Sequence, residues 1–279
     1  MENSKIDRCY ELAKLLRLDA LEMARKTGKA GAHLGGSFSS MDIIAVLYGA
    51  ILHIKSENPD WENRDRFITS KRHCYLASYP ALYRSGMITY DQLMNFHTDG
   101  ELLAGYPWLP KNGLDFSGGS LGMGLSVGIG MALSAKRKKL DYTTYVLLGD
   151  GECNEGSNWE GFMAASKFSL DNLVVIIDNN HMQFDGREED IMPMDSFSEK
   201  LAAFGFATVD VNGHSIEKLC DAFETKHEDR PLAIVADTIK GYGLPSIEDK
   251  PESHHIELAE SDYEYMIKCI EGGKYDRVQ

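Results

Sequence analysis

Two short apolar runs, each followed closely by a carboxylate or an amide side chain, constrain the fold of this chain more than any other feature. Residues 145–148 lead to Asp150, which has a glycine on either side, and residues 173–177 lead to Asn180. Both runs are too apolar to face water and predict buried strands, with a helix beginning near Ser157 between them. The crossover of such a strand–helix–strand unit leaves the strands parallel, with their carboxyl ends at one edge. Asp150 and Asn180 are therefore expected to converge.

A carboxylate and an amide oxygen at such an edge suit a hard divalent cation. Mg²⁺ in particular keeps few protein ligands and shares its remaining positions with phosphate oxygens. Gly149 and Gly151 let the backbone approach an anion closely, and the start of the following helix adds unpaired N–H groups. A Gly-Asp-Gly turn or an Asn pair alone is common in loops. Their spacing behind two buried strands favours a metal–diphosphate site.

The remainder of the chain predicts an α/β fold with a mainly parallel sheet and helices on both faces. Helices are predicted at 4–27, 197–204 and 216–225, and strands at 207–211 and 232–236. Such alternation is typical of sheets whose ligands bind beyond the carboxyl ends of the strands. No stretch has the composition of a linker, so residues 1–279 are expected to form one domain.

Two further helices are predicted from local signals. Ser39 or Ser40 is expected to cap one of them. The apolar stretch 121–135 is short of the roughly 20 residues that cross a bilayer, so a buried helix rather than a membrane span is expected. Its Gly124 and Gly128 would let a neighbour come close, either a cofactor or a second subunit.

Composition excludes some classes of function. A net charge of −14 argues against nucleic-acid binding, which requires many Lys and Arg side chains. The basic cluster 136–139 is expected to be a solvated helix end, where cations favour the helix dipole. Five widely spaced cysteines predict free thiols in a reducing compartment, and the charged N-terminus lacks an apolar signal core. These features predict a cytoplasmic protein.

Several short motifs follow one another along the chain. The central ones are Gly149-Asp150-Gly151-Glu152, Glu155-Gly156, Trp159-Glu160, Ala164-Ala165-Ser166, Leu170-Asp171-Asn172-Leu173, Asp178-Asn179-Asn180 and Phe184-Asp185-Gly186. The flanking ones are Ala32-His33-Leu34-Gly35-Gly36-Ser37, Asn63-Arg64-Asp65-Arg66-Phe67, Ser70-Lys71, His73, Gly119-Ser120-Leu121-Gly122, Gly124, Lys240-Gly241-Tyr242-Gly243 and His254-His255. Together they closely resemble the transketolase family over roughly residues 5 to 260, and the central group resembles its thiamine diphosphate motif.

The resemblance implies a two-component enzyme. Full-length transketolases carry a pyrophosphate-binding domain, a pyrimidine-binding domain and a C-terminal domain, and 279 residues accommodate only the first. The chain thus resembles the N-terminal subunit of a split transketolase, with the other domains on a partner and a dimer of heterodimers as the implied assembly. Such an enzyme moves a two-carbon ketol unit from a ketose (phosphate) to an aldose. In the family, the glutamate that activates the cofactor lies in the pyrimidine-binding domain, so this chain alone should be catalytically inactive.

The resemblance also implies roles for individual residues. The metal, Mg²⁺ with Ca²⁺ or Mn²⁺ as substitutes, would be held by the side chains of Asp150 and Asn180 and the backbone carbonyl of Met182. Three histidines, His33, His73 and His254, would exchange protons with hydroxyl and carbonyl oxygens. The implied cofactor-binding residues are His73, Gly119, Leu121, Gly149, Asp150, Gly151, Glu152, Asn180, Lys240 and His254.

Two of the implied roles have plainer alternatives. Glu155 resembles a glutamate at the subunit junction, but an acid is also favoured in the first turn of a helix. Lys240 could reach the diphosphate or could simply be solvated.

The chain departs from the family pattern at three positions. Tyr106 stands where the family has a histidine facing the donor, and a phenol does not shuttle protons at neutral pH. Arg72 replaces a glycine and suits either an anionic substrate group or a surface ion pair, and Ser253 replaces an aromatic residue. Tyr106 and Arg72 together predict a nonstandard sugar or acid substrate. Two alternatives remain open: a decarboxylating synthase that uses a 2-oxo acid donor, and a noncatalytic binding or regulatory subunit.

Overall fold

A parallel five-stranded sheet forms the centre of the protein in this computed structural model, which describes residues 3–98, 100–103 and 112–272. The strands are β1 (Arg66–Thr69), β2 (Thr144–Gly149), β3 (Leu173–Asn179), β4 (Ala207–Asn212) and β5 (Leu232–Asp237). Their spatial order is β1-β2-β3-β5-β4. Gly149 pairs with Asp178, and Asn179 pairs with Asp237, so β2, β3 and β5 end side by side. The residues that follow these strands therefore share one edge.

Helices cover both faces of this sheet, as the alternating pattern predicts. They are α1 (Asn3–Thr27), α2 (Gly35–Phe38), α3 (Met41–Val46), α4 (Tyr75–Arg84), α5 (Tyr90–Met94), α6 (Gly124–Lys138), α7 (Gly156–Lys167), α8 (Glu188–Ile191), α9 (Phe197–Ala203), α10 (Ile216–Phe223) and α11 (Glu260–Glu271). Short 3₁₀ turns lie at Gly28–Ala30, Arg72–Cys74, Gly151–Asn154 and Pro251–His254, and a π turn at Leu47–Ile51.

The apolar side chains of the central strands alternate between two cores. Leu147 and Ile176 face a core shared with α1, α3, α4, α10 and α11, whereas Val146 and Val175 face a core shared with α6, α7 and α9. Successive strand residues point to opposite faces of a sheet, so strands with no polar face must be covered on both sides. This confirms the predicted fold class.

The predicted strand–helix–strand unit is confirmed as β2, α7 and β3, and the helices and strands predicted after it are present with ends shifted by one or two residues. Strand β1 was not predicted. Its four residues, Arg66–Thr69, include a charged and a hydroxyl side chain and show no long apolar run. The structure pairs it in register with β2, which supplies most of its environment.

Helix α6 is buried by its glycine face, as predicted, but its neighbour is the protein's own sheet. A Cβ atom added at Gly128 would lie 2.4 Å from a methyl carbon of Val146, and one at Gly124 would lie 2.5 Å from the hydroxyl of Ser70. The basic cluster ends this helix, and Lys139 takes a left-handed conformation with φ of 57°. No helix within the described ranges is long and apolar enough to cross a membrane.

Ser40 occupies the N-cap position of α3, as predicted, but the expected side-chain bond is not made. Neither Ser39 nor Ser40 makes a side-chain capping bond to α3. Their hydroxyls instead donate to the carboxylate of Asp178, at 2.6 and 2.8 Å. A capping hydroxyl accepts from the free N–H groups of a helix, whereas these two hydroxyls donate, and a bond donated to a charged carboxylate is a strong one. The free-thiol prediction is confirmed, since all five cysteines are unpaired and buried.

Candidate cofactor site

The two side chains predicted to converge do so at the carboxyl edge of the sheet. Asp150 directly follows β2 and is 2% exposed, and Asn180 directly follows β3 and is 6% exposed. Both accept from one backbone group, because the N–H of Met182 lies 3.3 Å from Asp150 Oδ2 and 3.2 Å from Asn180 Oδ1. The spacing of the two motifs thus produces a pair of hard oxygen donors beside the backbone of Met182.

The surroundings of Asp150 disfavour its negative charge. Burial and then the charge of Asp178 raise its pKa to about 6, although the N–H of Gly151 donates to its Oδ1 at 2.7 Å. A divalent cation would relieve both penalties. Within the described part of the chain, no three His, Cys, Asp or Glu side chains form a metal cluster by themselves. The donor set therefore fits a cation that takes its remaining oxygens from the backbone and from a phosphate ligand.

A buried ion pair underlies this edge, and sequence reasoning missed it. The ammonium of Lys71 contacts the Asp178 carboxylate, and the two side chains are 1% and 0% exposed. Asp178 also accepts from the hydroxyl of Thr238 and from Ser39 and Ser40. Burial alone would raise the pKa of Asp178, but the charge of Lys71 and these bonds lower it. Both residues lie within recognised motifs, but nothing in the sequence indicates that they pair.

Glu152 organises the loops around the site. Its carboxylate accepts from the backbone N–H groups of Gly122, at 2.9 Å, and Gly149, at 3.1 Å, and from the hydroxyl of Ser70. Burial raises the pKa of this carboxyl group. One acidic side chain therefore joins the ends of β1 and β2 to the segment before α6, which supports a structural contribution to the site.

The three predicted histidines form one cluster. The ring centroids of His33 and His73 are 5.9 Å apart, those of His33 and His254 are 5.2 Å apart, and those of His73 and His254 are 5.0 Å apart. Burial, with nearby positive groups, lowers the pKa of His33 to about 4 and that of His254 to about 3, and holds that of His73 well below its usual value. All three imidazoles are thus neutral near pH 7, and a ring nitrogen of each can accept a hydrogen bond.

Two more histidines lie at the rim and were not assigned a role. The His255 ring is 4.6 Å from that of His33, and His97 stacks on Phe96 at 4.0 Å. Both are exposed. Each also lowers the pKa of His33 through its charge, after the larger effect of burial. His255 belongs to the recognised His254-His255 motif, whereas His97 carries no sequence signal.

Lys240 is buried rather than solvated, so that alternative is wrong. It is 1% exposed, and its ammonium donates to the backbone carbonyl of Gln183 at 2.8 Å. Burial and then the charge of Lys71 lower its pKa to about 8. A cation held in this way gains from an anion in the cleft.

These groups line one cleft of about 290 Å³. Its walls are His33, Gly36, Lys71, His73, Gly119, Leu121, Gly149, Asp150, Gly151, Glu152, Asn180, Met182, Gln183, Phe184, Lys240 and His254. All the residues with implied catalytic, cofactor or metal roles are among them. Gly36, Lys71, Gln183 and Phe184 are additions that the sequence did not single out for chemistry.

The residues with other implied roles lie elsewhere. Arg72 is 2% exposed and does not line the cleft. Its guanidinium lies 3.5 Å from the hydroxyl of Tyr79. The surface ion pair is therefore wrong for Arg72, because the 3₁₀ turn that brings His73 into the cleft buries its neighbour; the substrate contact stays a prediction. Glu155 is exposed at the start of α7, and Tyr106 lies outside the described residues.

A cleft at the carboxyl edge of a parallel sheet, with hard oxygen donors, buried ammonium groups and neutral imidazoles, defines an α/β enzyme domain that binds a diphosphate-containing cofactor. Comparison with known proteins identifies the family. Residues 6–271 match the family described as "Transketolase, thiamine diphosphate binding domain". The chain belongs to the transketolase family.

Its relatives include chains of similar length as well as longer enzymes. One subunit of the apulose-4-phosphate transketolase of Phocaeicola vulgatus is 37% identical over 244 residues, which cover 87% of this chain and 86% of the relative. The 6-deoxy-6-sulfo-D-fructose transketolase subunit SqwG of Clostridium sp. is 34% identical, covering 97% and 98% respectively. Human transketolase is 35% identical, with 100% of this chain matching 44% of that enzyme.

The fold comparison agrees. The solved transketolase of Leishmania mexicana superposes with a TM-score of 0.83 at 27% identity, covering 97% of this chain and 43% of that one. The chain thus spans nearly the full length of the subunit relatives and less than half of the longer transketolases. These findings confirm the predicted resemblance to the N-terminal subunit of a split transketolase, the transferase class and thiamine diphosphate as the cofactor of its family. They match neither of the two alternatives.

Proposed function

We propose that this chain is the cofactor- and metal-binding subunit of a two-component transketolase that moves a two-carbon ketol unit from a ketose to an aldose. The cleft carries the proposal, because it joins the oxygen pair of Asp150 and Asn180 to the imidazoles of His33, His73 and His254. No regulator would need this combination of metal donors and neutral histidines.

Asp150, Asn180 and the carbonyl of Met182 would hold Mg²⁺, for which Ca²⁺ or Mn²⁺ could substitute. The raised pKa of Asp150 and the hard character of its oxygens support this assignment. Gly149 and Gly151 leave room for the diphosphate beside the metal. The ammonium of Lys240 would neutralise part of the negative charge of the diphosphate. His73, His254, Gly119, Leu121 and Glu152 line the remainder of the cofactor cleft.

The histidines would perform the proton transfers. Thiamine diphosphate supplies, when bound, the electron sink that ketol transfer requires. Neutral His33 and His254 can accept a hydroxyl proton from the donor and return it to the acceptor oxygen, and His73 lies beside both. Desolvation lowers their pKa values, so both imidazoles are unprotonated at neutral pH and each has a ring nitrogen free to accept a hydrogen bond.

A partner chain would supply the pyrimidine-binding and C-terminal domains, with residues 1–279 forming a single domain and a dimer of heterodimers as the assembly. Glu155 would contact that partner. Leu121 and Met123, 37% and 50% exposed beside the cleft, support a missing neighbour there. The five free thiols support a cytoplasmic location.

The substrate would be a nonstandard anionic ketose. Two relatives are named for apulose 4-phosphate and for 6-deoxy-6-sulfo-D-fructose, a phosphate and a sulfonate of unusual sugars. Tyr106 and Arg72 remain part of this hypothesis, although Arg72 is buried and does not line the cleft.

The test begins with the complex purified from its native source, with any copurifying chain identified by mass spectrometry. We expect ketol transfer between a ketose and an aldose only when thiamine diphosphate and Mg²⁺ are present. Asp150→Asn should abolish this Mg²⁺-supported activity by weakening the metal site, and the matched surface change Asp171→Asn should leave it unchanged. Release of CO₂ from pyruvate without ketol transfer would favour the 2-oxo acid synthase. Failure to bind thiamine diphosphate would favour a noncatalytic subunit.

A further inference from the structure

The loop that carries Lys240 is attached at four consecutive residues to four separate parts of the chain. The bonds are from Thr238 Oγ1 to Asp178, from the Ile239 N–H to His214 Nε2 at 2.9 Å, from Lys240 Nζ to the Gln183 carbonyl at 2.8 Å, and from the Gly241 N–H to the Gly35 carbonyl at 2.9 Å. The bond to His214 stands out, because this histidine lies outside the cleft. It is 7% exposed and sits in the turn between β4 and α10.

The turn of His214 packs directly on the Lys240 loop. The N–H of Gly213 donates to the carbonyl of Asp237 at 2.8 Å. A Cβ atom at Gly213 would lie 2.4 Å from the methyl carbon of Thr238, so only glycine permits this approach. A shift of the turn is therefore transmitted to the loop.

The hydrogen bonds fix the tautomer of His214. The Ile239 N–H can only donate, so Nε2 must present its lone pair. Nδ1 then carries the proton and donates to Asp42 Oδ2 at 2.9 Å. The ring also stacks on Tyr242, with centroids 3.5 Å apart and planes inclined by 14°, which prevents it from turning over.

Asp42 keeps this arrangement in place from the opposite side. Arg17 binds both carboxylate oxygens of Asp42, at 2.8 Å each. Burial alone would raise the pKa of Asp42, but the Arg17 charge and the bonds from His214 and Arg17 lower it to about 2. The carboxylate is thus charged near neutral pH. Because the His214 ring carries a single proton, on Nδ1, the charges of Arg17 and Asp42 cancel each other.

We propose that His214 is a positioning residue for Lys240: the hydrogen-bond series Arg17, Asp42, His214 fixes the backbone at Ile239 and thereby holds the adjacent ammonium in the cleft. Such a series is costly to bury, and apolar packing between α1 and α3 would be cheaper if stability were its only purpose. The series ends at the backbone of Ile239, one residue before Lys240, so it can also fix the position of that lysine. The anion that Lys240 meets is the diphosphate of the proposed function, on which this inference rests.

Two substitutions separate the halves of the series. In His214→Asn the amide can still donate to Asp42 but is too short to accept from Ile239. In His214→Gln the carbonyl oxygen can accept from Ile239, while the donor to Asp42 is lost. A merely structural role predicts similar effects for both variants.

The measurement is the dissociation constant of thiamine diphosphate at saturating Mg²⁺, made on the complex with its partner. We expect His214→Asn to weaken binding roughly tenfold, the lower end of what a hydrogen bond to a charged group contributes. We expect His214→Gln to stay within about twofold of the wild type, since the Ile239 bond is kept. His227→Asn, at a half-buried histidine before β5 and outside the cleft, is the matched control and should have no effect.

A double-mutant cycle tests the route through Lys240. In the Lys240→Met background, His214→Asn should cause no further loss, because the group it positions is gone. If His214→Asn fails to fold, Gly213→Ala replaces it, since the added methyl displaces the same loop. Equal losses in the Asn and Gln variants, or a full loss in the Lys240→Met background, would overturn the positioning role. A wild-type complex that binds no thiamine diphosphate would instead refute the proposed function.

Discussion

Replacing Asp178 with asparagine should expose how strongly the floor of the cleft depends on one buried charge. The Asp178 carboxylate is fully buried and faces the ammonium of Lys71, which is 1% exposed. Asparagine keeps the shape but removes the charge, and its amide group would meet donors from Lys71, Ser39 and Ser40. An uncompensated buried charge of this kind costs about 3–5 kcal/mol. That is a large share of the roughly 5–15 kcal/mol by which a domain is stable.

Urea unfolding at pH 7, followed by tryptophan fluorescence, measures this loss directly. The matched control is Asp171→Asn, which breaks an ion pair with Lys136 at 2.7 Å whose side chains are 41% and 36% exposed. That change should cost less than about 1 kcal/mol, because water screens the pair. The double variant Lys71→Met/Asp178→Asn should lose less than the sum of its single changes. A loss for Asp178→Asn as small as that of the control would refute the reasoning and show that Lys71 can shed its proton.

Two other predictions concern stability. The pKa of His33, about 4, and that of His254, about 3, lie below the ordinary 6.5. Between these values the two histidines are protonated in the unfolded chain but not in the folded chain. The free energy of unfolding should therefore fall as pH drops from about 6.5 towards 4. His254→Gln should lose less than the wild type between pH 7 and pH 5 in urea titrations; parallel losses would contradict this. Gly128→Ala should destabilise by about 1–3 kcal/mol through overpacking against Val146, whereas Gly130→Ala, with no atom within 4 Å of the added carbon, should stabilise slightly. Thermal melts of the two variants decide this, and equal shifts would contradict it.

Local pattern explains which parts of the fold could be predicted from the sequence. Strands β2 and β3 are buried on both faces and consist of uninterrupted apolar residues, so their existence and parallel pairing follow from the chain alone. Strand β1 is short and carries Arg66, and only its pairing with β2 makes it a strand. Periodicity measures burial along one element. It contains no information on which other element supplies that burial.

The cleft shows the same limit at the level of side chains. Asp150 and Asn180 could be brought together because topology places the ends of adjacent parallel strands at one edge. Lys71 and Asp178 are 107 positions apart, and Asp42 and His214 are 172 apart. Lys71 follows β1 while Asp178 lies in β3, and Asp42 lies in α3 while His214 lies in the turn after β4, so each pairing depends on tertiary packing that no local spacing encodes. The burial of Arg72 could not be predicted for a related reason, since neighbours in a 3₁₀ turn point in different directions.

The charges of the cleft explain why a metal and a diphosphate should bind together. Three carboxylates, Asp150, Glu152 and Asp178, face two ammonium groups, Lys71 and Lys240, so the site carries one net negative charge at pH 7. A diphosphate is repelled by this excess, and a divalent cation reverses it. Mg²⁺ should therefore strengthen thiamine diphosphate binding at least about tenfold, and the cofactor must strengthen Mg²⁺ binding by the same factor. Calorimetric titrations of each ligand with and without the other measure both factors. Equal affinity for the cofactor in Mg²⁺ and in chelator would mean that the lysines alone neutralise the diphosphate.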